Sequence, residues 1–149
     1  MTDTVDTATR SRMMAAVGGK NTRPEMTLRR ALHADRFRFR LHDRRLPGSP
    51  DLVLPRYRSA IFVHGCFWHQ HKGCRFATQP KDRSDFWSAK FDANAARDAR
   101  KEEALHQAGW KVAIVWECAM RKGRFEKTLM ELERWLRFPS VRFETLPQE

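Results

Sequence analysis

The stretch Pro50-Asp51-Leu52-Val53-Leu54-Pro55-Arg56-Tyr57-Arg58-Ser59-Ala60-Ile61-Phe62-Val63-His64 decides the reading of the fold. Two apolar runs flank a Pro-Arg-Tyr-Arg connection, which is the pattern of a hairpin. Pro50 has no N–H to give to a ladder, so the first strand begins after it and Asp51 sits at the strand mouth. With 55–58 as the loop, Leu54 faces Ser59 and Asp51 faces the stretch Phe62-Val63. The run 60–63 is apolar on both faces. So is 112–115 within Lys111-Val-Ala-Ile-Val-Trp116, and both belong in the centre of a sheet covered on two sides.

Helical patterns surround these strands. Thr22-Arg23-Pro24-Glu25 is a capping box with Pro just inside the helix. The helix it opens runs to about Ala34, with Leu28, Ala31 and Leu32 inward. Residues 37–41 alternate Phe with Arg, a half-buried strand pattern, and Leu46-Pro-Gly-Ser-Pro50 is rich in turn residues. Ser84 can cap a helix over 85–108, ended by Gly109, with Trp87, Phe91, Ala95 and Leu105 as its apolar stripe. A last helix over 123–137 turns Phe125, Leu129, Leu132 and Leu136 inward, and a short one is expected over 8–17, closed by Gly18-Gly19. The expected fold class is α/β, a mixed central sheet flanked by helices.

Composition narrows the class. A chain of 149 residues is one domain by size and can close its own core. A hydrophobic content of 41% excludes a wholly disordered basic tail. No apolar run approaches the length of a membrane span. The start, Met1-Thr-Asp-Thr-Val-Asp6, lacks the apolar core of a secretory signal. Three cysteines make a disulfide scaffold unexpected, which fits a cytosolic setting. Lys and Arg number 29 against 18 Asp and Glu, a net charge of +11 spread along the chain. A folded surface with that excess attracts a polyanion, and nucleic acid is the leading partner class.

Two constellations carry chemistry. Asp51, a strand-end backbone carbonyl and His64 converge at one sheet edge, and hard oxygen ligands that keep several waters suit Mg²⁺. Asp98 shares a helix face with Phe91 and Ala95, where a carboxylate is costly without a partner such as a histidine. Glu25 is a second such acid, although capping alone accounts for it. The segment His64-Gly-Cys66-Phe-Trp-His69-Gln-His71-Lys-Gly-Cys74 packs three His and two Cys into a short loop, and Cys118 follows an apolar strand. Three thiolates and one imidazole make a closed tetrahedral Zn²⁺ site of the structural type. Only one of His69 and His71 is needed for it. The other is then free for acid–base work beside His64. Phe67-Trp68 and Phe86-Trp87 are large aromatics in polar surroundings. They either pack the loop on the helix start or act as wedges that enter a base stack.

Ala8-Thr-Arg-Ser-Arg12, Leu46-Pro-Gly-Ser-Pro-Asp51, Ile61-Phe-Val-His-Gly-Cys-Phe-Trp-His69, Phe86-Trp87, Asn94 with Arg97-Asp98, Gly109-Trp110 and Val115-Trp-Glu-Cys-Ala119 closely resemble the very short patch repair endonucleases. The likeness runs from about residue 8 to residue 137. It implies a restriction-endonuclease-like fold and an enzyme that nicks 5′ of the T in a T:G mismatch left by deamination of 5-methylcytosine. Carried over residue by residue, Asp51 and the carbonyl of Val63 would bind Mg²⁺, and His69 would be the general base. His64, Asp98 and Glu25 would support the metal waters and orient the histidines. Cys66, His71, Cys74 and Cys118 would hold a structural Zn²⁺. Phe67, Trp68 and Trp87 would wedge in from the major groove, and Lys90 and Asn94 would reach the mismatched pair.

The resemblance also implies an organisation and a setting. Residues 1–20 would be a DNA-gripping segment that orders on binding, 21–138 the endonuclease domain and 139–149 a C-terminal tail. The expected setting is the bacterial cytoplasm, at the nucleoid. The expected state is a monomer, with mismatch-repair proteins and a cytosine-5 DNA methyltransferase as functional partners. Two departures stand out. Phe62-Val63-His64 replaces the acid-x-Lys pair of the wider nuclease fold, as in this family, and Val63 stands where members carry Thr. The loop from His71 to Cys74 is slightly longer than expected. Two other readings compete: a zinc-stapled DNA-binding module without catalysis, and a restriction-type nuclease that cuts both strands.

Overall fold

The computed structural model describes residues 20–149. The expected helix over 8–17 and nearly all of the 1–20 segment therefore lie outside the described residues. Among the described residues, three helices and five strands follow in the order α1 (Arg23–Ala34), β1 (Arg40–Leu41), β2 (Leu52–Leu54), β3 (Ser59–His64), α2 (Ser84–Gln107), β4 (Lys111–Trp116), α3 (Phe125–Arg137) and β5 (Arg142–Glu144). Single 3-10 turns, Pro55–Tyr57 and Glu117–Met120, follow β2 and β4.

The sheet has the order β1-β2-β3-β4-β5. The first three strands are antiparallel, and β3, β4 and β5 are parallel. Leu54 pairs with Ser59 and Leu52 with Ile61, the register expected from the hairpin. Pro55 opens the 3-10 turn and Arg58 closes it at φ 48. Parallel neighbours need a long crossover. Residues 65–110, which include the Cys/His loop and α2, provide it between β3 and β4.

Alternation along the central strands sends side chains to two cores. Ile61, Ala113 and Val115 join Leu28 and Leu32 of α1 and Leu132, Trp135 and Leu136 of α3. Ala60, Phe62, Val112, Ile114 and Trp116 join Leu105 of α2, Cys66, Cys74 and Cys118. Each fully buried Leu or Ile contributes about 1.5–3 kcal/mol, so helices sit on both sheet faces. No helix among the described residues is long and apolar enough to cross a membrane.

Three expectations are corrected. The 37–41 strand shrinks to Arg40–Leu41, because Asp35 and Arg36 close α1 and Phe37 returns its N–H to Leu32; Phe37 is still buried. Ala95 is exposed on α2, whose inner face is carried by Phe91 and Leu105. Within 139–149, Arg142–Glu144 pairs with β4, a strand that the sequence reading does not contain.

Candidate active site and metal cluster

The start of β2 and the ends of β3 and β4 meet at one edge of the sheet, since His64 pairs with Trp116 and β2 runs antiparallel to β3. Asp51 Oδ2 accepts the Val63 N–H at 2.8 Å, which ties the strand mouth to the second strand. Burial pushes the Asp51 carboxyl up to about 6; the Val63 N–H works against this and the nearby Glu25 charge adds to it. A carboxylate in that state gains from a cation.

Glu25 is almost wholly buried at 1% exposure. Its backbone N–H is capped by Thr22 Oγ1 at 3.4 Å, while its carboxylate turns inward. Both of its oxygens face His42 Nε2, at 3.1 and 2.9 Å, and Arg29 Nη1 donates to Oε2 at 3.2 Å. Thr22 is thus the cap, and the Glu25 carboxylate is taken up by His42 and Arg29, not by the helix start. His42 also lies 3.9 Å from Asp51 Oδ1, so ligand atoms of Glu25, His42 and Asp51 fall within 4.8 Å of one another. Two carboxylates and an imidazole in that compass can hold a divalent ion. Sequence reading missed His42. It sits in an irregular loop with no periodicity, and only the return of the chain to Asp51 places it.

On the other side of the edge, His69 Nδ1 meets Asp98 Oδ2 at 2.6 Å. The carboxylate on α2 has thus found a histidine. Burial alone raises the Asp98 carboxyl, but the His69 hydrogen bond and charge outweigh it and the net shift is downward. His64 stacks on His69 with ring centroids 3.8 Å apart and planes 5° from parallel. Burial, and then the charge of His69, pushes His64 down to about 3. A neutral His64 adds no positive charge to the stack.

Cys66, His71, Cys74 and Cys118 are all buried, and their ligand atoms lie within 4.8 Å of one another. His71 Nδ1 is 3.7 Å from Cys66 Sγ and 3.5 Å from Cys118 Sγ. A tetrahedral ion with metal–sulfur bonds near 2.3 Å and metal–nitrogen bonds near 2.0 Å spaces such donors by about 3.5 Å, so the group fits a metal. Burial raises the Cys66 thiol, and the neighbouring Cys118 and Cys74 add to it. Burial lowers the His71 ring, which favours the neutral form that ligates. The C-terminal strand and its extension close the cluster. The Thr145 backbone meets the His71 ring, Leu146 O lies 3.8 Å from Cys118 Sγ, and the Arg75 N–H donates to Gln148 O at 2.8 Å.

An aromatic cluster stands above the acid–histidine pair. Phe67 packs against Trp68, Trp87 and buried Phe91 at 5.4, 5.8 and 5.3 Å between ring centres. Lys90 Nζ lies 5.2 Å from the Trp68 ring and 5.8 Å from the Trp87 ring. Asn94 Nδ2 donates to Trp68 O at 3.2 Å, which ties the loop to α2. Phe67, Trp68 and Trp87 are only half-buried, and Phe86 is 46% exposed. A groove of about 770 Å³ passes Val63, His64, Trp68 and His69, with Lys20, Arg23, Arg121 and Lys122 on its walls. Cationic walls, exposed aromatics and an acid–histidine centre are the equipment for acting on a nucleic acid backbone.

Comparison with known proteins carries this further. A family model described as DNA mismatch endonuclease Vsr matches residues 2–75. The chain is 53% identical over 120 residues to the type II nicking enzyme V.XorIIP of Xanthomonas oryzae, covering 80% of this chain and 88% of that protein. It is 42% identical over 139 residues to the DNA mismatch endonuclease Vsr of Escherichia coli, covering 91% and 88%. It is 41% identical over 121 residues to the type II nicking enzyme V.NmeAIP of Neisseria meningitidis, covering 81% and 86%. Fold, site and relatives together define a DNA-cleaving hydrolase, an endonuclease. The chain belongs to the DNA mismatch endonuclease Vsr family, the group that its His-Gly-Cys-Phe-Trp-His and Val-Trp-Glu-Cys strings resemble.

Proposed function

We propose that this chain recognises a T:G mismatch in duplex DNA and nicks the strand 5′ of the T, which starts replacement of a deaminated 5-methylcytosine. The observation that carries the reading is the 2.6 Å pairing of His69 with Asp98, stacked on His64 at the strand end where Asp51 holds the Val63 N–H. Mg²⁺ bound at Asp51 and the Val63 carbonyl supplies Lewis acidity at the phosphoryl group and a template for water.

The chain's own residues do the rest. His69 donates Nδ1–H to Asp98, which leaves Nε2 to take the proton from the water that attacks phosphorus. Asp98 then holds the imidazolium, and neutral His64 supports the ring from below. A positioned base contributes about 10²–10⁴-fold. Glu25 faces the same edge as a supporting acid. Phe67, Trp68 and Trp87 act as wedges, and Lys90 and Asn94 face the disturbed pair. Unpairing costs less at a mismatch, which favours wedge entry there.

Zinc is the proposed occupant of the Cys66, His71, Cys74 and Cys118 cluster, because a closed, buried donor set of three sulfurs and one nitrogen suits that ion. The mixed sheet with its site at one edge supports a restriction-endonuclease-like fold. The same reading takes in the N-terminal segment as a DNA grip, the tail, action as a monomer in the bacterial cytoplasm, and repair proteins and a cytosine-5 methyltransferase as functional partners. A non-catalytic module leaves the His69–Asp98 pair and the buried Glu25 without work. The relatives named nicking enzymes favour cleavage of one strand over two.

The test is Mg²⁺-dependent nicking of a T:G duplex beside a T:A control and a mismatch-free plasmid. Nicking 5′ of the T that disappears in Asp51→Ala, with duplex binding kept, is the expected result. Linearised plasmid, or a well-folded protein inert on the mismatch, overturns the reading.

A further inference from the structure

His42 is held at the site twice. Its backbone N–H donates to Asp51 O at 3.1 Å, and its ring Nε2 lies 2.9 Å from Glu25 Oε2 and 3.9 Å from Asp51 Oδ1. The residue adopts φ 46, in the left-handed region. Histidine visits that region more readily than most non-glycine residues, but Gly or Asn suits it better. A turn by itself gives no reason for an imidazole here. The ring is mostly covered, with a side-chain exposure of 13%, and it lies between the carboxylates of Glu25 and Asp51.

We infer that His42 is a positioning residue: its Nε2–H donates to Glu25 and fixes that carboxylate at the distance and angle from Asp51 that a divalent cation requires. The inference rests on the proposed Mg²⁺ site at Asp51 and adds to it an arm from the 42–51 loop. Glu25 is restrained from three sides by this scheme. Thr22 Oγ1 anchors its backbone N–H, Arg29 donates to Oε2 and is itself held by Asn21 Oδ1 at 2.7 Å, and His42 Nε2 lies against both oxygens. Side chains that orient a metal-binding group without touching the ion alter metal affinity by about 10–100-fold when removed.

Two substitutions separate this role from a structural one. His42→Asn keeps the left-handed backbone but is too short to reach Glu25, and His42→Gln restores an N–H near the position of Nε2. Mn²⁺ binding to the purified full-length protein, followed by electron paramagnetic resonance, is measured beside single-turnover nicking as a function of Mg²⁺. His42→Asn weakens Mn²⁺ binding at least about tenfold. It raises the Mg²⁺ needed for half-maximal rate by a similar factor, and its loss of rate shrinks as Mg²⁺ saturates. His42→Gln recovers most of both. Unchanged Mn²⁺ binding in His42→Asn, while Asp51→Ala abolishes it, overturns the role of His42 and leaves the metal site standing. Unchanged binding in Asp51→Ala overturns the metal site itself. A uniform loss of rate at every Mg²⁺ concentration with equal Mn²⁺ affinity also overturns the inference.

Discussion

Replacing Asp98 by Asn tests the acid–histidine pair at a single atom. The pair is short, at 2.6 Å, and Asp98 lies on a helix anchored by Phe91 and Leu105, so the backbone has little reason to move. In the proposed mechanism the carboxylate accepts Nδ1–H and leaves Nε2 as the base. An amide can turn its NH₂ toward Nδ1 instead, which stabilises the tautomer with the proton on Nε2, where it blocks catalysis. A hydrogen bond to a charged partner contributes about 1.5–3 kcal/mol. The side chains of His69 and Asp98 are 28% and 21% exposed, so the lower half of that range applies. About 1.5–2 kcal/mol corresponds to a loss of about 10–30-fold in rate. The assay is single-turnover nicking of a T:G oligonucleotide at saturating Mg²⁺, beside duplex binding in Ca²⁺. The expected outcome is the rate loss with binding kept. A well-folded variant within about threefold of the parent rate refutes the assignment of His69 as base.

Cys118→Ser removes one sulfur of the buried cluster. Metal content by elemental analysis falls from about one zinc per chain, and the melting temperature drops by about 10 °C or more, because metal binding contributes to folding. Trp68→Ala costs about 1–3 kcal/mol of the preference for mismatched over matched duplex, read by competition binding; equal loss on both duplexes places Trp68 in a purely structural role. Burial and the Asp35 carboxylate push Glu133 up to about 7, so the folded chain favours its protonated form. That stability is present below the usual Glu range and is lost as pH rises through 7. Glu133→Gln therefore raises the melting temperature relative to the parent at pH 8 but not at pH 4, by about 1–2 °C after allowance for solvent screening.

The hairpin was legible because Pro50 and Pro55 bracket β2 and because β3 and β4 are apolar on both faces. Those features alone fix Leu54 opposite Ser59 and bring Asp51 to Val63. The Cys/His group was legible as a composition, but the choice of His71 over His69 for the cluster came only with the family resemblance. In the structure it follows from His69 turning to Asp98. His42 was not legible, since its partners lie on α1 and at the mouth of β2 and no local pattern marks it. The strand β5 was missed for a related reason. Arg142-Phe143-Glu144 has one apolar residue, and its ladder depends on the exposed edge of β4.

Trp116 lies between the two centres of the molecule. His71 stacks flat against its indole at 4.1 Å, His64 meets it edge-on at 5.2 Å, and its Nε1–H donates to Glu144 at 2.8 Å. The indole is thus a shared wall between the cysteine cluster and the histidine stack. A smaller ring at position 116 opens space on both sides at once, and one without an N–H leaves Glu144 to Arg142 alone. A single change at that position is therefore felt by the cysteine cluster and by the histidine stack together.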